Sequence, residues 1–277
     1  MESVIVASHR RSGTHLMIDT IRNNFPEFSK YRYVNIDRIE DWHDRPPSKE
    51  IHQAKISIEQ LRRSLRREPR VLKTHFLPQV QIYLQKQKSK EDLDWVNMLF
   101  CNCKKIYVYR SGLDVLPSLY TFMKFFNPDV EKKSFADFLE MYHDFDPLGP
   151  QLNRVEFWRY HIDAWFEYGK KRNDILFIKF SDLRNDYFKS LQVIADFLES
   201  PLPESIVDLR LSNENVSSIG QYIQRIKSRL DIGPIKRTSI LMGKGQVGGG
   251  KSLFTEELQV KYQDFFAIDN PPRLYEY

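Results

Sequence analysis

The sequence predicts an α/β fold in which a single domain contains a central parallel β-sheet flanked by helices. Short apolar segments without alternation, typical of strands buried on both faces, alternate with longer segments of helical periodicity. The 277 residues are enough for one substantial core, and they show neither an internal repeat nor a clear domain boundary. We therefore expect residues 1–277 to form one domain.

The first strand, loop and helix form a candidate anion site. Val4–Ala7 is apolar without alternation, and further on Met17, Ile21 and Phe25 recur every four residues, as on one face of a helix. The loop Ser8–Gly13 therefore leads into a helix N-terminus, where backbone N–H groups and the helix dipole favour an anion, most often phosphate. An ordinary turn with two solvated arginines is equally compatible with this segment alone.

This P-loop-like segment lacks the residues with which nucleotide triphosphatases bind Mg²⁺ and the γ-phosphate. In the motif G-x-x-x-x-G-K-[ST], a Lys and a hydroxyl residue follow the second Gly. Here Thr14 and His15 occupy those two positions, and Ser8 replaces the first Gly. The cations of the loop, Arg10 and Arg11, precede its Gly, so the segment can hold phosphate or sulfate without the metal apparatus.

The later elements are predicted from the same two periodicities. Three further strands are expected at Val71–Thr74, Ile106–Tyr109 and Ile175–Ile178. Helices are expected at Ser57–Arg67, Gln79–Lys86, from beyond Gly112 to about Phe126, Ser134–Phe145, Val155–Lys171 and Leu183–Leu198. Ser57 is the expected N-cap of the first of these, and Pro117 falls early in its helix, where a missing N–H costs least. Residues 26–56 and Lys86–Glu91 are expected to be irregular.

Polar and basic residues follow three of the four strands. They are Ser8–Gly13, Lys73–His75 and Arg110–Gly112. Ligands of parallel sheets bind beyond the carboxyl ends of the strands, so these clusters predict one anion site. If the second strand runs on through His75, alternation places Lys73 and His75 on the same side.

Composition favours a cytoplasmic protein that binds anionic ligands. The net charge is +5 and the pI about 9.0, a mild excess that does not establish nucleic-acid binding. No apolar stretch approaches the roughly 20 residues of a membrane span, and Glu2 argues against a signal peptide. Cys101 and Cys103 are too few for a disulfide framework and suit a reducing compartment.

The glycine-rich segment near the carboxyl end is interpreted as a flap. Gly245–Ser252 matches G-x-x-x-x-G-K-S literally, but only 25 residues follow it, too few for the core of an ATPase. A mobile loop, residues 243–252, whose amides and Lys244 close on an anion fits this context better.

Together these motifs resemble the sulfotransferases that use 3′-phosphoadenosine 5′-phosphosulfate (PAPS), especially the cytosolic type. The family's motifs are P-K-S-G-T, K-T-H-L-P, an Arg followed eight residues later by Ser, W-x-x-H-x-x-x-W and R-K-G-x-x-G-D-W-K-x-x-F-T. Their counterparts here are Arg10–Thr14, Lys73–Pro78 with one inserted residue, Arg110 and Ser118, Trp158–Lys179, and Gly243–Thr255. The resemblance runs from Val4 to about Thr255, and the shared order and spacing make it specific.

The resemblance implies one sulfotransferase domain with a 5′-phosphosulfate loop at residues 7–15. It implies in-line transfer of a sulfuryl group from PAPS to a hydroxyl or amine of a small-molecule acceptor, which leaves adenosine 3′,5′-bisphosphate (PAP) and needs no metal. His75 is the expected general base, since an imidazole pKa near ~6.5 suits that role at neutral pH. Lys73 and Arg11 are expected to stabilise charge on the sulfuryl oxygens and the 5′-phosphate. The expected nucleotide-binding residues are Arg10, Arg11, Ser12, Gly13, Thr14, His15, Arg110, Ser118, Phe180, Ser217, Ile219, Lys244 and Gly245.

Several positions depart from the family pattern. Arg11 stands in place of a catalytic Lys; it keeps the charge but cannot give up a proton. Leu16 replaces a Trp that stacks on adenine, Phe180 replaces a Tyr, and Ser217–Ile219 replaces T-S-F. Adenine is therefore expected to meet aliphatic walls.

Two other functions fit parts of the sequence: a nucleoside or small-metabolite kinase with a degenerate phosphate loop, and a non-catalytic nucleotide- or RNA-binding protein. The missing Lys-[ST] pair counts against the kinase. The expected partner is a small-molecule acceptor, with neither nucleic acid nor membrane. The acidic run Asp37–Asp44 hints at a cationic or hydroxyl-rich acceptor, whose identity, like the oligomeric state, the motifs leave open.

Overall fold

The structure, a computed structural model, describes residues 3–29, 33–38, 57–67, 69–78, 89–142, 151–209 and 247–267. Its strands are β1 (Val4–Ala7), β2 (Val34–Asn35), β3 (Val71–Thr74), β4 (Lys104–Tyr109) and β5 (Ile175–Lys179). They form one parallel sheet in the order β2-β3-β1-β4-β5. The sheet predicted from the apolar segments is therefore confirmed.

Helices cover both faces of the sheet. They are α1 (Thr14–Asn24), α2 (Pro26–Ser29), α3 (Ile58–Arg67), α4 (Lys90–Asn102), α5 (Gly112–Phe126), α6 (Pro128–Glu131), α7 (Phe135–Glu140), α8 (Arg154–Gly169), α9 (Phe180–Asn185), α10 (Tyr187–Leu198) and α11 (Glu256–Phe266), with 3₁₀ turns at Ile36–Arg38 and Lys251–Leu253. No helix in the described ranges is both long and apolar enough to cross a membrane.

Two hydrophobic clusters, one on each face of the sheet, hold these layers together. Successive residues of a strand point to opposite faces. Ile5 and Leu72 accordingly pack with residues of α3 to α8 and α11, whereas Val6 and Val71 pack with α1, α2, α9 and α10. Because both faces are covered, β1 is apolar at every residue rather than alternating between apolar and polar side chains.

The strand register determines which loops become neighbours. Ala7 pairs with Thr74 on one side and with Tyr107 on the other. Strands β1 and β3 therefore end at the same level, and Ser8 and His75 leave the sheet side by side. Strand β4 continues two residues further, to Tyr109, before Arg110.

Several predicted boundaries are confirmed. The four predicted strands agree with the structure to within two residues, and α3, α5 and α8 lie where helical spacing placed them. Ser57 caps α3 as expected, since its Oγ accepts from the Gln60 N–H at 3.1 Å while the Gln60 side chain accepts from the Ser57 N–H at 2.9 Å.

Two irregular segments were predicted wrongly. Residues 26–56 contain α2, β2 and a 3₁₀ turn in their described part, because Phe28 and Ile36 are buried in the clusters. The loop expected at Lys86–Glu91 gives way to α4 at Lys90, whose N-cap Ser89 accepts from the Asp92 N–H. Helix α4 as a whole was not predicted. The helix expected at Gln79–Lys86 lies outside the described residues.

Two predicted helices end or break early. The helix expected at Ser134–Phe145 stops at Glu140, after which Met141 is extended. The helix expected at Leu183–Leu198 is two helices, α9 and α10, separated by Asp186 at φ −130° and ψ 74°. The Asp186 carboxylate caps α10 by accepting from the Lys189 N–H, so a local side-chain bond wins over continuous helical periodicity.

Helix α8 depends on a reciprocal cap that can be tested. The Asn153 side chain accepts from the N–H groups of Val155 and Glu156, both at 3.0 Å, and the Glu156 carboxylate accepts from the Asn153 N–H at 2.9 Å. We expect Asn153→Ala to lower the free energy of unfolding by about 1 kcal/mol. Urea denaturation measures this loss. Asn23→Ala, in an exposed helical turn, is the matched control and should be nearly neutral; equal stabilities of the two variants would contradict the prediction.

Candidate active site

The loop Ser8–Gly13 joins β1 to α1 with an unusual backbone. Arg11 and Gly13 have positive φ values of 68° and 106°, and the Ser12 N–H donates to the His9 carbonyl at 3.3 Å. Helix α1 begins at Thr14, and its N-cap Gly13 has no side chain to bond to the first turn. The amides of a first helical turn have no acceptor within the helix, so this turn is open to an anion.

Ser12 provides an independent sign of a ligand. The residue is fully buried, yet its Oγ has no hydrogen-bond partner among the described residues. A buried hydroxyl without a partner costs free energy, and such atoms are rare in folded proteins. The neighbouring hydroxyls of Ser8 and Thr14 bond to each other at 2.5 Å. The loop thus presents one buried polar atom that a bound anion can satisfy.

The Phe180 ring packs against the backbone of this loop at Gly13. A Cβ added to Gly13 would collide with the Phe180 ring, so glycine is required there by contact as well as by its φ. The Arg110 guanidinium lies over the same ring, 4.3 Å from its centroid. Phe180 therefore lies against both the loop and Arg110.

Arg11 and Arg110 concentrate positive charge beyond the end of β4. Arg11 Nε donates to the Ser118 Oγ at 3.1 Å, and Arg110 approaches the Arg11 carbonyl at 3.5 Å. Burial and the nearby charge of Arg110 lower the pKa of Arg11 to about 10. Burial lowers the pKa of Arg110 as well, although Asp114 opposes this shift. Two partly buried cations held this close together favour binding of a shared anion.

Asp114 connects this cationic pair to the glycine-rich segment. Its buried carboxylate pairs with Arg110 Nε at 3.5 Å and accepts from the N–H groups of Gly248 and Gly250 at 3.0 and 3.4 Å. A Cβ at Gly250 would collide with the first turns of α5. Residues 247–250 thus form a turn docked beside Arg110, and Lys251 begins a 3₁₀ turn rather than the α-helix of an ATP-binding loop.

His75 is bonded at its amide, its carbonyl and one ring nitrogen. Its N–H donates to the two oxygens of Asp37 at 3.0 and 3.1 Å, and its Nδ1 lies 2.8 Å from the Ser8 carbonyl. Since a carbonyl can only accept, Nδ1 carries the proton and Nε2 holds the lone pair. Burial is the largest cause that lowers the pKa of His75 well below its usual range, and Lys73 and Arg10 add to it. The ring is therefore neutral at neutral pH.

Lys73 approaches the same carboxylate. Its Nζ lies 3.6 Å from Asp37, whose other oxygen accepts from the Thr74 hydroxyl at 2.8 Å. The strand does not run on through His75, since pairing ends at Thr74 and Asp37 takes the next N–H. The shared side of Lys73 and His75 therefore cannot be derived from strand alternation.

The structure brings most of the predicted residues to one edge of the sheet. The residues Ser12, Gly13, Thr14, Arg11, Arg110, Ser118, Phe180, Lys73 and His75 are joined by the contacts above. Arg10 lies in the same loop, and the His15 ring meets Tyr33 edge-on at 5.6 Å. Leu16 packs against the cluster that contains Phe180. Ser217, Ile219, Lys244 and Gly245 lie outside the described residues.

Three residues of the site were not predicted as such. In the sequence, Asp37 belongs to an acidic run, Asp114 lies between Arg110 and Ser118, and His161 is the His of W-x-x-H-x-x-x-W. His161 is fully buried, and its Nε2 lies 3.0 Å from the His75 carbonyl. Its sequence signal is its place as the His of W-x-x-H-x-x-x-W, three residues after Trp158 and four before Trp165.

Comparisons with known proteins identify the family. The family model for the sulfotransferase domain matches residues 1–274. An amine sulfotransferase of Oryctolagus cuniculus is 29% identical over 235 residues, which cover 83% of this chain and 70% of that protein. Sulfotransferase 1 family member D1 of Rattus norvegicus is 28% identical over 206 residues, which cover 72% of this chain and 61% of that protein.

Solved structures share the fold. Mouse sulfotransferase SULT7A1, crystallised with PAP, has a TM-score of 0.59 at 17% identity, over 95% of this chain and 82% of that one. Retinol dehydratase, crystallised with androsterone and inactive cofactor PAP, has a TM-score of 0.57 at 20% identity, over 95% and 79% of the two chains.

Gly13 offers a test of the loop geometry. Gly13→Ala should lower stability and weaken anion binding, because alanine adds a collision with Phe180 to the cost of a positive φ, which alone is roughly 1–2 kcal/mol. Gly248→Ala is the matched control, since Gly248 has φ 79° with open space around it. Thermal unfolding and calorimetric titration with PAP measure both effects. Equal losses in the two variants would show that the Phe180 contact does not matter.

Proposed function

The chain belongs to the sulfotransferase family, and on this premise we propose that it moves a sulfuryl group from PAPS to a hydroxyl or amine of a small molecule, with His75 as general base. The observation that carries the proposal is the bond between the His75 ring and the Ser8 carbonyl, at 2.8 Å. It joins a neutral imidazole directly to an anion-binding loop. A base and an anion site in contact suit transfer of an anionic group to an acceptor.

The loop and the arginine pair fit the two phosphates of the donor. The buried Ser12 hydroxyl and the amides of residues 12–14 suit the 5′-phosphate, and Arg110 with Ser118 suits the 3′-phosphate. Bound there, PAPS would supply an activated sulfuryl group with PAP as its leaving group. The presence of PAP in two structures of the same fold supports this assignment.

His75 is proposed to take the proton of the acceptor at Nε2. Since Nδ1–H is held by the Ser8 carbonyl, the lone pair of Nε2 is available, and no described residue bonds to it. The lowered pKa of the buried ring keeps it neutral at pH 7. A base within hydrogen-bond reach of the acceptor usually contributes about 10²–10⁴-fold to the rate.

Lys73 and Arg11 are proposed to balance the charge of the transferred group. In phosphoryl transfer the protein acts mainly by positioning and by electrostatic stabilisation, and sulfuryl transfer is similar in this respect. Lys73 is buried beside Asp37, and Arg11 is partly buried and donates to Ser118. Charge in a dry site acts more strongly than in water.

The whole chain is proposed to act as one sulfotransferase domain, because the family model spans residues 1–274. Residues 7–15 form its phosphosulfate loop, and residues 243–252 form a flap that closes beside the 3′-phosphate. The described part of that flap, which is bound to Asp114 next to Arg110, supports this role. A small-molecule acceptor is proposed by analogy with the androsterone complex of retinol dehydratase.

Arg110 tests the site of the 3′-phosphate. Arg110→Ala should raise the Kd for PAP by roughly ten- to a hundredfold, since a charge-assisted contact is worth about 1.5–3 kcal/mol. The Kd for 5′-AMP should change little. The matched control is Arg62→Ala, because Arg62 is similarly buried and also lies over an aromatic ring, that of Trp95, but binds Asp92 away from the site. Equal losses for PAP and AMP would mean that Arg110 does not bind the 3′-phosphate.

The reaction itself is tested with radiolabelled PAPS and a panel of phenols, alcohols and amines. We expect label transfer by the wild-type protein, and a loss of roughly 10²–10⁴-fold in His75→Ala with PAP affinity nearly unchanged. Circular dichroism confirms that the variant is folded. Near-normal turnover in His75→Ala would remove His75 as the base. Absence of transfer to any acceptor, with tighter Mg²⁺-dependent binding of ATP than of PAP, would favour a kinase instead.

A further inference from the structure

Helix α8 supplies two buried donors to the segment that carries His75. His161 Nε2 lies 3.0 Å from the His75 carbonyl, and Trp165 Nε1 donates to the Phe76 carbonyl at 3.1 Å. Residues four apart share one face of a helix, so they reach consecutive carbonyls. Strand β3 ends at Thr74, so the carbonyls of His75 and Phe76 lie beyond its paired residues. The side chains of α8 supply their hydrogen bonds instead.

The hydrogen bonds of His161 allow only one arrangement of its protons. Its Nε2 faces a carbonyl and must donate, so its Nδ1 carries the lone pair and accepts from the Tyr107 hydroxyl at 2.9 Å. Burial lowers the pKa of His161 to about 4, so the ring remains neutral under ordinary conditions. His161 is therefore a fixed donor to His75 rather than a proton carrier.

Tyr107 extends this connection to the phosphate loop. Its hydroxyl donates to His161 and accepts from the backbone N–H of His9. The His75 ring in turn binds the Ser8 carbonyl. The bonds form a closed ring of contacts through Ser8, His9, Tyr107, His161 and His75. This ring fixes the position of the His75 side chain relative to the loop.

We propose that His161, oriented by Tyr107, is a positioning residue that sets the place of the His75 ring relative to the phosphate loop. This inference rests on the proposed function, in which His75 is the base. Neither residue touches donor or acceptor in this account. A base displaced by about 1 Å can cost a hundredfold in rate, so loss of this support should lower kcat rather than nucleotide affinity.

Two variants of His161 separate positioning from packing. His161→Leu fills the space without a donor, whereas His161→Gln offers an amide N–H for the His75 carbonyl and an oxygen for Tyr107. We expect His161→Leu to lower kcat by roughly 10- to 100-fold. The KM for PAPS and the Kd for PAP should remain nearly unchanged, and His161→Gln should recover most of the rate.

Tyr107 has a matched control on its own strand. Tyr107→Phe should lower kcat in the same way, because the ring stays but the hydroxyl is lost. Tyr109→Phe should be neutral, since Tyr109 is also buried and packs edge-on against Phe166, but shows no hydrogen bond to a described residue. Equal rates in Tyr107→Phe and Tyr109→Phe would overturn the role of Tyr107. Thermal unfolding shows whether each variant is folded.

A spectroscopic readout keeps the inference separate from the proposed function. Imidazole ¹H–¹⁵N spectra report the tautomer of each of the seven histidines, and His75→Ala identifies the signals of His75. The wild-type protein should show His75 protonated at Nδ1 alone, and His161→Leu should show a mixture of tautomers, whether or not transfer is observed. An unchanged His75 tautomer together with normal kcat in His161→Leu would overturn the inference. Lack of wild-type turnover would count against the proposed function only. In that case the His75 tautomer in His161→Leu would decide the inference: a mixture would support it, and an unchanged tautomer would overturn it.

Discussion

The hydrogen bond between the His75 ring and the Ser8 carbonyl is the contact on which the site depends. It exists because β1 and β3 are neighbours that end in register, so that the residues following them leave the sheet together. The bond selects the tautomer of His75 and holds its ring, the proposed base, against the loop after β1. In the proposed reaction, the sheet therefore fixes the position of the donor loop relative to the base that receives the acceptor's proton.

The buried carboxylate of Asp114 and the partly buried carboxylate of Asp37 offset the concentration of positive charge. Asp37 lies beside Lys73, and Asp114 pairs with Arg110; each also accepts from backbone N–H groups of a neighbouring segment. Without such partners, buried cations would be costly to desolvate. The same carboxylates hold the segment after β3 and the turn at residues 247–250 at the edge of the sheet. The two side chains that balance the charge therefore also position these segments.

The sequence predicts the parts of this structure that depend on local pattern. The four longer strands, the turn between β1 and α1 and the N-cap Ser57 follow from apolar runs, a Gly-containing segment and a polar residue before a helix. Helix α4 was missed because its N-cap Ser89 adjoins a charged run that reads as a loop. The bonds of Asp37 to the His75 N–H and of His161 to the His75 carbonyl could not be predicted, since these partners are distant in sequence. Asp114 lies four residues after Arg110, a helical spacing from which their ion pair could have been predicted.

The central claim is that the loop after β1 and the arginine after β4 together hold one nucleotide, with His75 facing the reaction centre. A crystal structure of the protein with PAP tests it most directly. The account predicts the 5′-phosphate on the amides of residues 12–14 and the 3′-phosphate on Arg110 and Ser118. It also predicts that Nε2 of His75 faces the space beyond the 5′-phosphate. A nucleotide phosphate bound instead by Gly245–Ser252, with the loop after β1 empty, would contradict it.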